Sequence, residues 1–315
     1  MGLTLTGRAR PAVRGPFGDG SDGTVTIDAG TTTLTRDNFF DTLTITATGI
    51  LDADGFRVFV RNRLTIAVGG ILRNNGNDGG DAVVEVGGAA GVVQAAGSLG
   101  QGAVGGLGPT GDADAGSVGN AGGNTTPSLG GAGPIGGVGG LGSNGAGGAG
   151  GPASTVTAPV ADAGGYREWW NALRLMDFQD AVSGQLIEGG SGGGSGGAGG
   201  GDAADLGGGG GGGGSGAGPL VVAAREIENN GTISVNGGGG GDGAAGQDAD
   251  AGGGGGGSGG GGGVLILIHQ WLGGTGVQTA NGGLPGTFGA GQGTGVAGVA
   301  GTAGANGTVI TLPII

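Results

Sequence analysis

The sequence predicts an all-β protein that combines short strands with packed, extended glycine segments, and three observations favour this class. Glycine supplies 97 of the 315 residues, and aromatic residues only 3%. Short runs of β-branched residues alternate with polar ones along the chain. Only 10 prolines and the lack of a strict three-residue period exclude collagen, and a charged fraction of 11% is low for a disordered chain.

The strongest strand signals lie within residues 23–86, which we predict to form a domain of stacked β-rungs. The stretch beginning at Leu43 repeats at Leu64, an offset of 21 residues, and a third copy begins at Ile227. Short strands with fixed spacing and a turn glycine are typical of a β-solenoid, in which each rung buries its apolar residues against the next. A β-sandwich hairpin with a similar pattern is the alternative.

Glycine dominates two further segments. Residues 87–160 are Gly/Ala-rich, with Val, Leu and Pro at no fixed period, and residues 189–263 hold two near-pure glycine blocks around a predicted strand pair at 219–237. One interpretation is a flexible linker. The other is a bundle of polyglycine II helices that exchange backbone hydrogen bonds. We favour the bundle, because the blocks are short, poor in serine and interrupted by apolar strands; further strands are predicted within 264–315.

Two segments are candidates for contacts with partners. Residues 1–22 form a predicted N-terminal arm with three arginines, which is either a docking segment or a frayed terminus. Residues 161–188 predict one short inserted α-helix, because apolar residues recur at helical spacing. Its aromatic face is either an interface or a cap over the end of the rung stack. The interface candidates are Arg8, Arg10, Arg14, Tyr166, Trp169, Trp170, Leu173 and Met176.

The charge pattern restricts the partners. The formal net charge is −13, and all 11 basic residues are Arg. Such an acidic chain repels nucleic acid and anionic membrane surfaces. We find no apolar run long enough to span a bilayer and no secretory signal near the N-terminus, so we expect a protein made in the cytoplasm. The absence of cysteine excludes disulfides and thiolate chemistry.

No enzymatic activity is expected from the residue types present. A P-loop needs a lysine, which the chain lacks, and the single histidine, His269, follows an apolar strand and is expected to be structural. Paired aspartates are expected to lie in solvated turns. We expect no cofactor, with Ca²⁺ as the one candidate ion at Asp78 and Asp81. The pairs are Asp19/Asp22, Asp52/Asp54, Asp78/Asp81, Asp112/Asp114 and Asp248/Asp250.

The repeat at 227–237 and the glycine block that leads into the apolar strand 264–268 together resemble glycine-rich tail proteins of bacteriophages. Some of these proteins are tail-tip adhesins with polyglycine II bundles. The resemblance covers about residues 200–315. It implies a virion protein, made in the host cytoplasm, that acts as a tail fibre, tail-tip or decoration component. It also implies self-assembly, with a trimer as the first expectation, contacts with other virion proteins, and attachment to a glycan or protein on the host surface.

Two other functions remain open at this stage. An ice-binding or cell-surface β-solenoid would present a flat threonine face, for which residues 31–35 and Thr44, Thr46 and Thr48 are candidates. A glycan-cleaving tailspike would need two carboxylates about 5–10 Å apart in a cleft.

Overall fold

A computed structural model describes residues 16–126, 128–157, 188–201, 206–247 and 250–314. These residues form nine β-strands and no α-helix, so the described part of the chain is all-β. The strands are β1 (Gly23–Thr33), β2 (Asn38–Asp52), β3 (Val58–Ile66), β4 (Ile71–Arg73), β5 (Pro219–Asn229), β6 (Thr232–Ser234), β7 (Val264–Gly273), β8 (Val277–Thr279) and β9 (Thr308–Pro313).

The nine strands form one sheet in which every paired strand runs parallel to its neighbour. The order is β8-β6-β4-β2-β3-β5-β7-β9, with β1 on β2. The long strand β2 pairs with both β3 and β4, which lie on either side of a corner. The strand pairs β3–β4, β5–β6 and β7–β8 are therefore successive rungs, stacked in parallel as the sequence repeat predicts and not paired as hairpins.

The register of the rungs confirms the 21-residue repeat. Leu43 lies beside Leu64, and Leu51 lies beside Leu72. The third copy lies in β5 and β6, as the repeat predicts, but it is two residues shorter at its corner. Ile227 stacks on Leu64, two residues before the position that its Ile-x-x-x-Gly spacing indicates, whereas Ile233 stacks on Leu72 as expected.

Apolar side chains inside the rung stack form the main core. Because residues alternate across a strand, every second side chain of each rung points to this interior. A second apolar cluster covers the opposite face of β5 and β7 near Phe17, Phe59 and Leu99. The largest fully buried side chains are Leu43, Ile45, Leu51, Leu64, Ile66, Leu72, Leu99, Leu220, Ile227, Ile233, Leu265 and Leu267.

Three glycine segments run directly into strands of the sheet. Residues 207–217 lead into β5, 252–263 into β7, and 295–307 into β9. The glycine segments and the rungs therefore belong to one continuous backbone arrangement.

Backbone hydrogen bonds in the glycine segments follow a three-residue cycle. Within 189–201, the N–H of Gly192 donates to the carbonyl of Gly123, and the next two N–H groups donate to Gly214 and Pro134. The N–H of Ser195 then donates to Asn120, which lies in the same segment as Gly123. Consecutive N–H groups therefore point to three different neighbours, as in an extended helix with three residues per turn.

This cycle organises the glycine segments into a three-segment centre and an outer ring. Segments 189–201, 207–217 and 252–263 each exchange backbone hydrogen bonds with the other two and with four outer segments, so that each has six neighbours. Glycine at the central positions allows the segments to approach this closely, because it has no side chain. The outer segments in the described chain are 76–82, 87–91, 102–111, 114–123, 131–142, 145–151, 236–247, 281–290 and 295–305.

Serines within the central segments are buried and hydrogen-bonded. Ser191, Ser195, Ser215 and Ser258 are each 0% exposed. The hydroxyl of Ser215 accepts the N–H of Asn77 at 2.8 Å, and that of Ser195 accepts the N–H of Asn120 at 2.8 Å. These four serines are therefore shielded from solvent.

The outer segments show a three-residue period that the sequence analysis did not detect. In 131–142 and 102–111, every third residue is exposed and the residues between are buried or half-buried. The buried positions are mostly glycine, because a Cβ there would overlap a neighbouring backbone, as at Gly137 against the carbonyl oxygen of Val299. Exposed positions carry the aliphatic residues, among them Val104, Leu107, Ile135, Val138 and Leu141.

Candidate functional site

The interface candidates from the sequence lie outside the described residues. Arg8, Arg10 and Arg14 precede residue 16, and the helix candidates fall within 158–187. Both predictions therefore stay predictions.

Paired aspartates within the described residues accept hydrogen bonds from the protein itself. Asp78 accepts the N–H of Gly239 at 2.6 Å, and Asp81 accepts the N–H of Asp242 at 2.8 Å. These carboxylates supply an acceptor to an outer-ring N–H. No group of three or more His, Cys, Asp or Glu residues that could hold a metal ion occurs among the described residues.

Acidic residues in the rungs form ion pairs with arginines of an adjacent rung or loop. Asp52 pairs with Arg73 at 3.0 Å, directly across the β2–β4 register. Asp22 pairs with Arg36, and the hydrogen bond from that guanidinium is the main cause that lowers the pKa of the Asp22 carboxyl. The carboxylate of Asp52 is buried, whereas the guanidinium of Arg36 is exposed, and exposed ion pairs contribute little individually.

His269 is buried at the end of the apolar run of β7, with 8% of its surface exposed. Burial lowers the pKa of its imidazole, and its Nδ1 atom has no hydrogen-bond partner among the described residues. The structural role expected of this histidine stays a prediction.

A groove of about 380 Å³ lies at the β1 end of the rung stack. Apolar side chains such as Leu34 and Phe40 line it together with threonines, and its charged residues, Asp22 and Arg36, are bonded to each other. The candidate threonine face beside it is partly engaged, since the hydroxyls of Thr46 and Thr48 donate to the carbonyl oxygen of Asp28. A regular array of free hydroxyls is therefore interrupted there.

The outer face of β3, β5 and β7 carries an aromatic and charged cluster that the sequence analysis did not identify. Arg63, Glu226 and Trp271 lie side by side on the three strands, and Glu228 lies beside Gly273. Adjacent residues in this register are about 4.8 Å apart, so the cluster is compact and sits on rigid strands. We call these five residues the Trp271 platform.

Arg63 fixes both carboxylates of the Trp271 platform. Its Nη2 atom lies 2.7 Å from Glu226 Oε2, and its Nη1 atom lies 3.4 Å from Glu228 Oε2. The side chains stay accessible, at 52% for Arg63, 40% for Glu226 and 36% for Glu228. The result is an accessible surface on which two carboxylates lie beside one guanidinium.

The indole of Trp271 lies over the backbone of Gly273. Its six-membered ring occupies the place where a Cβ at Gly273 would stand, so a larger residue there would displace it. Trp271 is nevertheless 49% exposed, which leaves much of the ring in solvent. Because the neighbouring Leu272 packs against the core, strand alternation turns Trp271 outwards.

Comparison with family models, with curated proteins and with solved structures finds no match to this chain. Within the described residues, no helix has the length and apolar character needed to cross a membrane.

Proposed function

We propose that the chain is a non-enzymatic structural protein of a tailed-bacteriophage virion, built as a tail fibre, tail-tip or decoration component. The observation that carries this proposal is the six-neighbour arrangement of segments 189–201, 207–217 and 252–263. A rigid body built from backbone hydrogen bonds is suited to a component that bears load or holds other parts at a fixed distance. The resemblance to glycine-rich tail proteins is the reason for placing this component in a virion.

In this proposal the glycine segments are polyglycine II helices that form a hexagonally packed bundle, and the rungs form a β-solenoid joined to one end. The three-residue hydrogen-bond cycle and the buried serines support the first assignment. Parallel rungs and the 21-residue register support the second.

Hydrogen exchange measured by mass spectrometry tests the bundle. The N–H groups of 207–217 and 252–263 are expected to exchange at least about a thousandfold more slowly than those of a free glycine peptide, as in cooperative buried structure. Exchange within about tenfold of the free peptide would identify these segments as linkers and reject the bundle.

Mass photometry with negative-stain imaging tests the virion role. Discrete homo-oligomers, with a trimer expected first, or short rods are the expected result, because virion components act as symmetric assemblies. A compact monomer at every concentration would contradict the proposal.

A further inference from the structure

We propose that the Trp271 platform is a binding site for a neutral saccharide. The saccharide would be the ligand through which a virion protein attaches to its host, so this role of the site rests on the proposed function. Saccharide binding itself requires only the described face of β3, β5 and β7.

The first argument is the presentation of the aromatic ring. Pyranose rings stack their C–H faces on indoles, and an exposed Trp on a rigid strand loses little conformational freedom on binding. The glycine at position 273 lets the indole of Trp271 lie against the backbone and keep a face open to solvent. The exposed indole therefore adds apolar surface to a sheet face on which strand alternation otherwise places polar residues, namely threonine, Arg63 and Glu226.

The second argument is the supply of oriented polar groups beside the ring. Glu226 and Glu228 are held by Arg63 and remain accessible, so each carboxylate can accept hydrogen bonds from ligand hydroxyls. The guanidinium holds these acceptors in place before a ligand arrives, which limits the entropy lost on binding.

The third argument selects a neutral ligand. The platform carries two carboxylates against one guanidinium, and the whole chain has a net charge of −13. Sialylated or uronic-acid glycans would meet repulsion at this face. Neutral hexose polymers offer both an apolar ring face that can stack on Trp271 and hydroxyl groups that can donate to the two carboxylates.

The test is an oligosaccharide array of neutral, sialylated and uronic-acid glycans probed with the full chain, followed by calorimetric titration with the best neutral glycan. Trp271→Ala is expected to weaken binding roughly tenfold or more, as truncation of an aromatic anchor does. Gly273→Val should weaken it similarly although the tryptophan is retained, because the indole is displaced. Phe288→Ala, which removes another exposed aromatic residue, is the matched control and should bind normally.

Several results would overturn the proposal. They are no binding to any neutral glycan, preference for anionic glycans, and unchanged affinity in Trp271→Ala. Shortening of the bound oligosaccharide, detected by mass spectrometry, would replace it with a glycan-cleaving site. Far-UV circular dichroism and melting curves check that each variant folds. A monomer that still binds neutral glycans through Trp271 would reject the virion role and leave the saccharide site standing.

Discussion

The carboxylate of Asp81 accepts a hydrogen bond from the backbone N–H of Asp242 at 2.8 Å, and the carboxylate of Asp242 accepts one from Thr287 at 2.6 Å. The two aspartates thus link three adjacent outer segments, 76–82, 236–247 and 281–290. Backbone bonds run along the same pairs, as from Ala82 to Asp242. A side-chain acceptor on one segment therefore satisfies an N–H that finds no backbone acceptor on the next.

The Asp81 link predicts a difference between two substitutions. Asp81→Asn keeps an Oδ1 acceptor and should leave the free energy of unfolding nearly unchanged. Asp81→Ala removes the acceptor and should lower that free energy by about 0.5–1 kcal/mol, since solvent replaces part of the bond. Urea denaturation of both variants measures the difference, and equal stability of Asn and Ala variants would refute this role.

Alanine should destabilise the protein at one position of the outer segment 131–142 and have little effect at the adjacent position. Gly137→Ala places a Cβ against the carbonyl oxygen of Val299 and should destabilise the protein by about 1–3 kcal/mol through overpacking. Val138→Ala, at an exposed position, should change stability by no more than about 0.5 kcal/mol. Thermal melting of the pair provides the measurement. If Gly137→Ala were as stable as the wild type, the close packing of this segment would be wrong.

Buried serines predict a third effect. Ser215→Ala leaves the N–H of Asn77 without its side-chain acceptor and should cost about 1–3 kcal/mol of stability. Ser117→Ala, at an exposed serine, is the matched control and should be neutral. Denaturant titrations of both variants compare the two sites. Similar small effects at both would indicate that Ser215 is solvated.

The buried His269 predicts a pH dependence of stability. Burial lowers the pKa of its imidazole below the ordinary 6.5, so the unfolded chain binds a proton more readily than the folded chain. Stability should therefore fall as the pH drops through 6.5 towards the lowered folded-state pKa. His269→Gln should remove this part of the slope. Melting temperatures across this pH range, for wild type and variant, check the prediction, and identical slopes would contradict it.

The rung stack could be predicted from the sequence because apolar residues that stack on each other recur at a fixed spacing. Leu43 and Leu64 occupy equivalent buried positions, so their spacing can be read directly. The third rung departs from the common spacing at its corner, where Ile227 pairs with Leu64 and Asn229 takes the place beside Ile66. An ungapped comparison aligns Ile227 with Ile66, so it finds the third copy but misses the two-residue difference at this corner.

The order of the outer glycine segments was harder to predict. Their three-residue period depends on which neighbour each residue faces, and Ala or Pro occupies some buried places, as at Ala103 and Pro109.

Trp271 was missed for a different reason. Its outward direction follows from the inward Leu272, but nothing in the sequence reveals that Arg63 and Glu226 lie beside it.

The direct passage from glycine segments to strands has a mechanical consequence. Residues 207–217 and 252–263 are hydrogen-bonded to each other in parallel and enter the neighbouring strands β5 and β7, which are also parallel. Tension applied along this axis would load many backbone hydrogen bonds at the same time, in shear. Because each glycine segment continues into its strand through the same backbone, a pull on β5 and β7 would be transmitted into 207–217 and 252–263.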